Sequence, residues 1–126
     1  MTNNNEWYRF AKMDLDTANH IFNTMHPKPL EISCYLAQQS AEKLLKGFLV
    51  ENEQEPPKTH NLMVLNDLCI AINPNFETLD EALIDLNPYS VQPRYPQEIE
   101  ITETDTEQAL KYLDSIMAFF TDSIFS

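Results

Sequence analysis

Four side chains in the segment CYLAQQSAEKLLKGFL, residues 34–49, are of types that engage an anion or move a proton: Gln39, Glu42, Lys43 and Lys46. At about 100° per residue their spacing puts all four on one polar side of a helix, with two ammonium groups, a carboxylate and an amide presented together. Such a side suits a phosphate. The same spacing also makes Glu42 and Lys46 an i, i+4 ion pair on a solvated face, worth roughly a few tenths of a kcal/mol. Both readings stand at this point.

Other residues with chemical potential are less well arranged. His20 and His26 are six apart, which is wrong for the i, i+4 geometry that brings two imidazoles to one metal, so no metal site is expected. The acidic pairs Asp14/Asp16, Asp80/Glu81 and Glu98/Glu100 lack a neighbour that would separate their pKa values, as acid–base work requires. The chain has no GxxxxGK[ST] phosphate loop, GxGxxG turn, GxSxG elbow or CxxC pair. Cys34 and Cys69 each lie among apolar residues and read as small buried hydrophobes. A net charge of -12 argues against a broad DNA-binding surface, because nucleic-acid affinity depends on cations that displace counterions. The charge is uneven: residues 1–63 hold six Lys/Arg against eight Asp/Glu, and residues 64–126 hold two against twelve. An anion site should therefore draw on the first half, with Arg94 the main exception.

The elements that position these residues follow from proline and glycine usage. One Gly in 126 residues disfavours folds rich in positive-φ turns, and eight prolines cluster so as to leave proline-free segments between them. Length and 43% hydrophobic content fit one domain, residues 1–126, with an all-α architecture: an up-and-down helical bundle of four long helices and one short one.

A first helix over Glu6–Met25 carries Trp7, Phe10, Ala11, Leu15, Ala18, Ile21, Phe22 and Met25 as one apolar stripe. A second over Leu30–Asn52 turns Ala37, Ala41, Leu44, Leu45 and Phe48 inward. Tyr35, Leu36 and Val50 project elsewhere, so this helix packs on two sides, at the bundle centre or at a dimer interface. A third spans His60–Ile72, capped by Thr59, with Leu62, Leu65, Leu68, Cys69 and Ile72 inward. A short fourth runs over Thr78–Leu86, and the last over Thr106–Phe125 with Glu107 near its positive end. The connection Asn87–Asp105 is long for a bundle and reads as functional. No stretch is apolar enough for a membrane span and no signal pattern opens the chain, which predicts a cytoplasmic protein.

The segments DLDTA, CYLAQQSAEKLLKGFL, KTHNL and PYSVQPRYP together resemble the HEPN family, the nucleotide-binding domains of higher eukaryotes and prokaryotes, over nearly the full chain. The resemblance implies a commonly dimeric bundle that requires no cofactor. It further implies a nucleotide ligand, or a minimal nucleotidyltransferase partner in a toxin–antitoxin-like pair. The matching positions are Gln39, Glu42, Lys43, Lys46, His60, Arg94 and Tyr95. Arg94 would clamp a phosphate in a two-pronged fork, and Tyr95 would stack on a base or pack on the fold. The plainer alternatives pair Arg94 with one of many carboxylates and leave His60 hydrogen-bonded at its helix start. Ribonuclease members carry Arg followed four to six residues later by His; here YPQEIEI follows Arg94 and no His follows His60. The expectation is therefore a non-catalytic binding module. Ribonuclease chemistry by Arg94 with His60, and an interaction-only dimerisation protein, are the rivals.

Overall fold

Asn5 starts the first helix and ties it to the second. Its side-chain oxygen accepts from the Trp7 amide at 3.0 Å, and its amide donates to the Gly47 carbonyl at 3.0 Å. The computed structural model describes residues 5–91 and 100–125. Arg94 and Tyr95 lie outside the described residues.

Helix α1 (Glu6–Thr24) buries a narrower stripe than its sequence suggests. Ala11, Ala18 and Phe22 are buried, whereas Phe10 and Met25 stand 42% and 49% exposed. The alanines set this width by letting α1 approach α2 (Leu30–Glu51) closely enough for the Ser40 hydroxyl to donate to the Ala11 carbonyl at 2.7 Å.

The two-sided packing expected of α2 is met at the centre of the bundle. It touches α1, α3 (Leu62–Ile72), α4 (Asp80–Leu86), α5 (Glu103–Ser123) and a 3₁₀ turn at Asn87–Ser90. Buried residues cover most of its circumference, from Gly47 and Ser40 through Leu44, Ala37, Ala41, Leu45 and Gln38 to Glu42 and Lys46. Tyr35 and Leu36 are half-buried and Val50 is exposed. The helix ends on Glu53 at φ 60, a left-handed position more often given to glycine, with the Gln54 amide donating to the Leu49 carbonyl at 2.9 Å.

The start of α3 differs from the sequence expectation. Asn61, not Thr59, is the cap: its side-chain oxygen accepts from the amides of Met63 at 2.9 Å and Val64 at 3.4 Å. Thr59 supports that cap by accepting from the Asn61 amide at 3.1 Å. Leu68 is on the exposed side, and Asn66 is buried, with its amide donating to the Phe76 carbonyl at 3.0 Å and to Asp80 at 2.9 Å.

A 3₁₀ segment, Pro74–Leu79, leads into α4, which buries Ala82, Leu83 and Leu86. Helix α5 begins earlier than its apolar period suggests, because Thr102 and Asp105 form a reciprocal capping box. The Thr102 hydroxyl accepts from the Asp105 amide at 3.1 Å, and the Asp105 carboxylate accepts from the Thr102 amide at 3.0 Å. Glu107 consequently sits in the second turn. The face Ala109, Leu110, Leu113, Ile116 and Phe120 is buried.

Phe76 is the hub of the core, 4.4 Å from Phe48, 4.9 Å from Phe119 and 5.6 Å from Phe120 between ring centroids. It is fully buried, so its truncation to Ala would cost roughly 3–5 kcal/mol. Both cysteines are free and buried, as expected. Burial pushes the Cys69 thiol up to about 12. The chain is an all-α bundle, and among the described residues no helix is long and apolar enough to cross a membrane.

Candidate functional site

The polar side of α2 is not a solvated face. Glu42 and Lys46 form their i, i+4 pair at 3.0 Å with side chains only 5% and 9% exposed. Such a pair depends on further hydrogen bonds to offset the desolvation of both charges. Glu42 receives them. His60 Nδ1 lies 3.0 Å from Oε1 and 3.2 Å from Oε2, and the Gln38 amide donates to Oε1 at 3.3 Å. The Lys46 ammonium lies 5.5 Å from the centroid of the half-buried Trp7 ring, which gives the buried cation an aromatic neighbour.

Gln38 was not singled out by the sequence pattern, yet it organises the site. Its amide also donates to the His60 carbonyl at 3.0 Å, and its oxygen accepts from Gln39 at 2.8 Å. Gln38 and Glu42 contact His60 and Lys46 backs Glu42, so the three form a row at strict four-residue steps. Gln39 joins at one end, 3.5 Å from Glu42. A step-of-four search along QQSAEKLLK would have found it.

Lys43 leaves this row and crosses to α1, where its ammonium meets Asp14 at 2.6 Å beside the Phe10 ring. The four residues expected on one side therefore serve two clusters. In each, a lysine already has a carboxylate partner, so neither contributes a free positive charge. His60 differs: its side chain is 70% exposed while Nδ1 is held from behind. Asn87 links the site to the connection beyond α4, accepting from the Leu62 amide at 2.9 Å next to the α3 cap.

Among the described residues the remaining candidates have structural partners or are exposed, and Glu98 lies outside the described residues. Asp16 pairs weakly with Lys12 at 3.8 Å, Asp80 holds Asn66, and His20 and His26 stand in solvent. Among the described residues no group of three or more His, Cys, Asp or Glu side chains could hold a metal. A cleft of about 220 Å³ is lined by Asp85, Tyr89, Asp105, Gln108, Ala109 and Tyr112. Burial, the Cys34 thiol and both carboxylates push the Tyr89 phenol up to about 12. The Asp85 and Asp105 carboxylates in the lining of this cleft repel a phosphate.

The described residues form a five-helix bundle in which a buried charge pair backs one exposed imidazole. The HEPN domain model matches residues 5–123, and the chain belongs to the HEPN family. No curated protein matches it. Among solved structures it is similar to TT1696 from Thermus thermophilus, at 26% identity and TM-score 0.76, over 97% of this chain and 98% of that one. It shares the fold of ST0689, an archaeal HEPN homologue, at 24% identity and TM-score 0.73, over 98% and 99% of the two chains.

Proposed function

We propose that this HEPN domain is a non-catalytic binding module that takes a nucleotide, or the nucleotide-bearing face of a nucleotidyltransferase partner, at the corner formed by α2 and the start of α3. One observation carries the reading: His60 is exposed while Glu42 and Gln38 hold its ring and backbone in place. Gln39 adds an amide on the same side. Asn87, seven residues before Arg94 in the sequence, is bonded to the start of α3. A homodimer is the expected assembly.

Thermal stability with a panel of nucleotides tests the reading, on wild type, His60→Ala and Arg94→Ala. A ligand at about 100 times its Kd adds roughly 2.7 kcal/mol, a shift of several degrees at this size. A shift in wild type that both variants lose supports the site. No shift with any nucleotide removes the nucleotide and leaves a protein partner or a second copy as the ligand.

A second reading, RNA cleavage by His60 with Arg94, is favoured by one feature, the carboxylate behind the imidazole, which is how general bases are oriented. Cleavage by purified protein that disappears in both His60→Ala and Arg94→Ala would replace the binding reading with this one.

A further inference from the structure

The partners of the Glu42 carboxylate other than His60 are all donors, Gln39 among them at 3.5 Å from Oε1. Lys46 reaches Oε2 at 3.0 Å, Gln38 reaches Oε1 at 3.3 Å, and His60 Nδ1 sits 3.0 Å and 3.2 Å from the two oxygens. An ionised carboxylate has no proton to give, so the bond to Nδ1 places a proton on Nδ1. In a neutral imidazole the lone pair is then on Nε2. With 70% of the His60 side chain exposed and its Nδ1 edge against α2, that lone pair is offered outward. The arrangement is held at two points, because Gln38 also donates to the His60 carbonyl at 3.0 Å.

We infer that Glu42 is a positioning residue that fixes His60 as the Nδ1–H tautomer, so that this corner recognises a neutral hydrogen-bond donor, a ribose hydroxyl, and not a phosphate. The ligand half of this inference rests on the nucleotide reading above; the tautomer half stands without it. Charge agrees with the choice. Glu42 and Lys46 cancel one another, so a phosphate that approached a neutral His60 would meet a lone pair and no net cation. A hydroxyl meets an acceptor whose direction is already set.

Two-bond ¹H–¹⁵N spectra of ¹⁵N-histidine-labelled protein, recorded at a pH where the spectra show a neutral ring, read the tautomer directly. His20 and His26 serve as internal references. The expected result is Nδ1–H for His60 in wild type and a return toward Nε2–H in Glu42→Gln, whose amide can donate to Nδ1. Nε2–H in wild type, or an unchanged pattern in Glu42→Gln, overturns the assignment. Glu42→Gln leaves the Lys46 ammonium buried beside an amide, so Glu42→Gln/Lys46→Met is read in the same way should the single variant not fold.

Adenosine, 2′,3′-dideoxyadenosine and inorganic phosphate are then titrated against the His60 Nε2 resonance. Adenosine should shift it, with affinity falling about tenfold in the dideoxy compound for one lost hydrogen bond, and phosphate should leave it unmoved. A shift by phosphate with none by adenosine overturns the ligand half. No shift by any of the three removes the ligand half together with the nucleotide reading, while the first spectrum has already decided the role of Glu42.

Discussion

The Tyr8 ring lies across Gly47 at the point where α1 meets α2. A Cβ at position 47 would stand 2.5 Å from Tyr8 Cε1 and 2.6 Å from Cδ1. The ring has little room to yield. Its hydroxyl donates to Glu51 at 2.8 Å, and Phe120 and Phe125 pack against it at 6.1 Å and 4.8 Å. The single glycine of the chain is therefore a close-approach position and not a turn.

Gly47→Ala should destabilise the fold despite the better helix propensity of alanine. Overpacking costs roughly 1–3 kcal/mol, against about 1 kcal/mol gained in the helix, so a net loss of about 1 kcal/mol is expected in urea unfolding. In a Tyr8→Ala background the same change should become neutral or stabilising, since the clash is gone. An equal loss in both backgrounds would refute the contact as its cause.

Breaking the buried Glu42–Lys46 pair should be costly from one side and cheap from both. Lys46→Met strands a buried carboxylate, at a cost of about 3 kcal/mol, whereas Glu42→Gln/Lys46→Met should cost clearly less than the sum of its singles. The part-buried Lys43–Asp14 pair, with side chains 24% and 16% exposed, keeps more contact with solvent than Glu42–Lys46 and should show the smaller coupling. Chemical denaturation of the two cycles, side by side, ranks them.

Stability should decline in alkali. Burial, reinforced by the bond to Glu51, raises the Tyr8 phenol, and the Tyr89 phenol and Cys69 thiol are each pushed up to about 12. Each group holds its proton more tightly when folded than its ordinary 10.0 for tyrosine or 9.0 for cysteine. The unfolded chain then binds fewer protons in this range, so stability present below pH 9 is lost as pH rises toward 12. The thermal midpoint should be flat to about pH 9 and fall above it, less steeply in Tyr89→Phe than in wild type. Identical slopes in the two proteins would discard Tyr89 as a contributor.

Glu53→Gly should stabilise. A non-glycine residue at φ 60 carries a left-handed penalty of about 1 kcal/mol that glycine lacks, and the Gln54-to-Leu49 bond that closes α2 does not use the side chain. A rise of a few degrees in the thermal midpoint is expected; a fall would mean that the Glu53 side chain contributes more than its backbone costs.

Helix number, order and most inward faces were legible in the sequence because apolar residues at three- and four-residue steps, interrupted by proline clusters, report burial directly. Boundaries were less so. Asn61 replaced Thr59 as a cap and Thr102 started α5 early, since several polar residues near a helix start are equally able to accept from its amides. Phe76 lies in a 3₁₀ segment whose period is not helical, so its central place in the core gave no periodic signal. At the site, Glu42, Lys46, Gln39 and His60 do assemble. The burial of the pair and the diversion of Lys43 to Asp14 depend on where α1 and the residues before α3 lie, which spacing along one helix does not encode. Gln38 was hidden because buried amides are uncommon and need partners from other segments. Arg94 and Tyr95 fall outside the described residues.

The central place of α2 bears on how the His60 corner responds to a ligand. A helix packed against all four others cannot open alone, so its amides should exchange with deuterium only when the whole domain unfolds. Glu42 and Gln38 are mounted on that rod, and their geometry exists before anything binds. The ligand proposed for this corner would meet a preorganised acceptor and lose little affinity to the ordering of the protein.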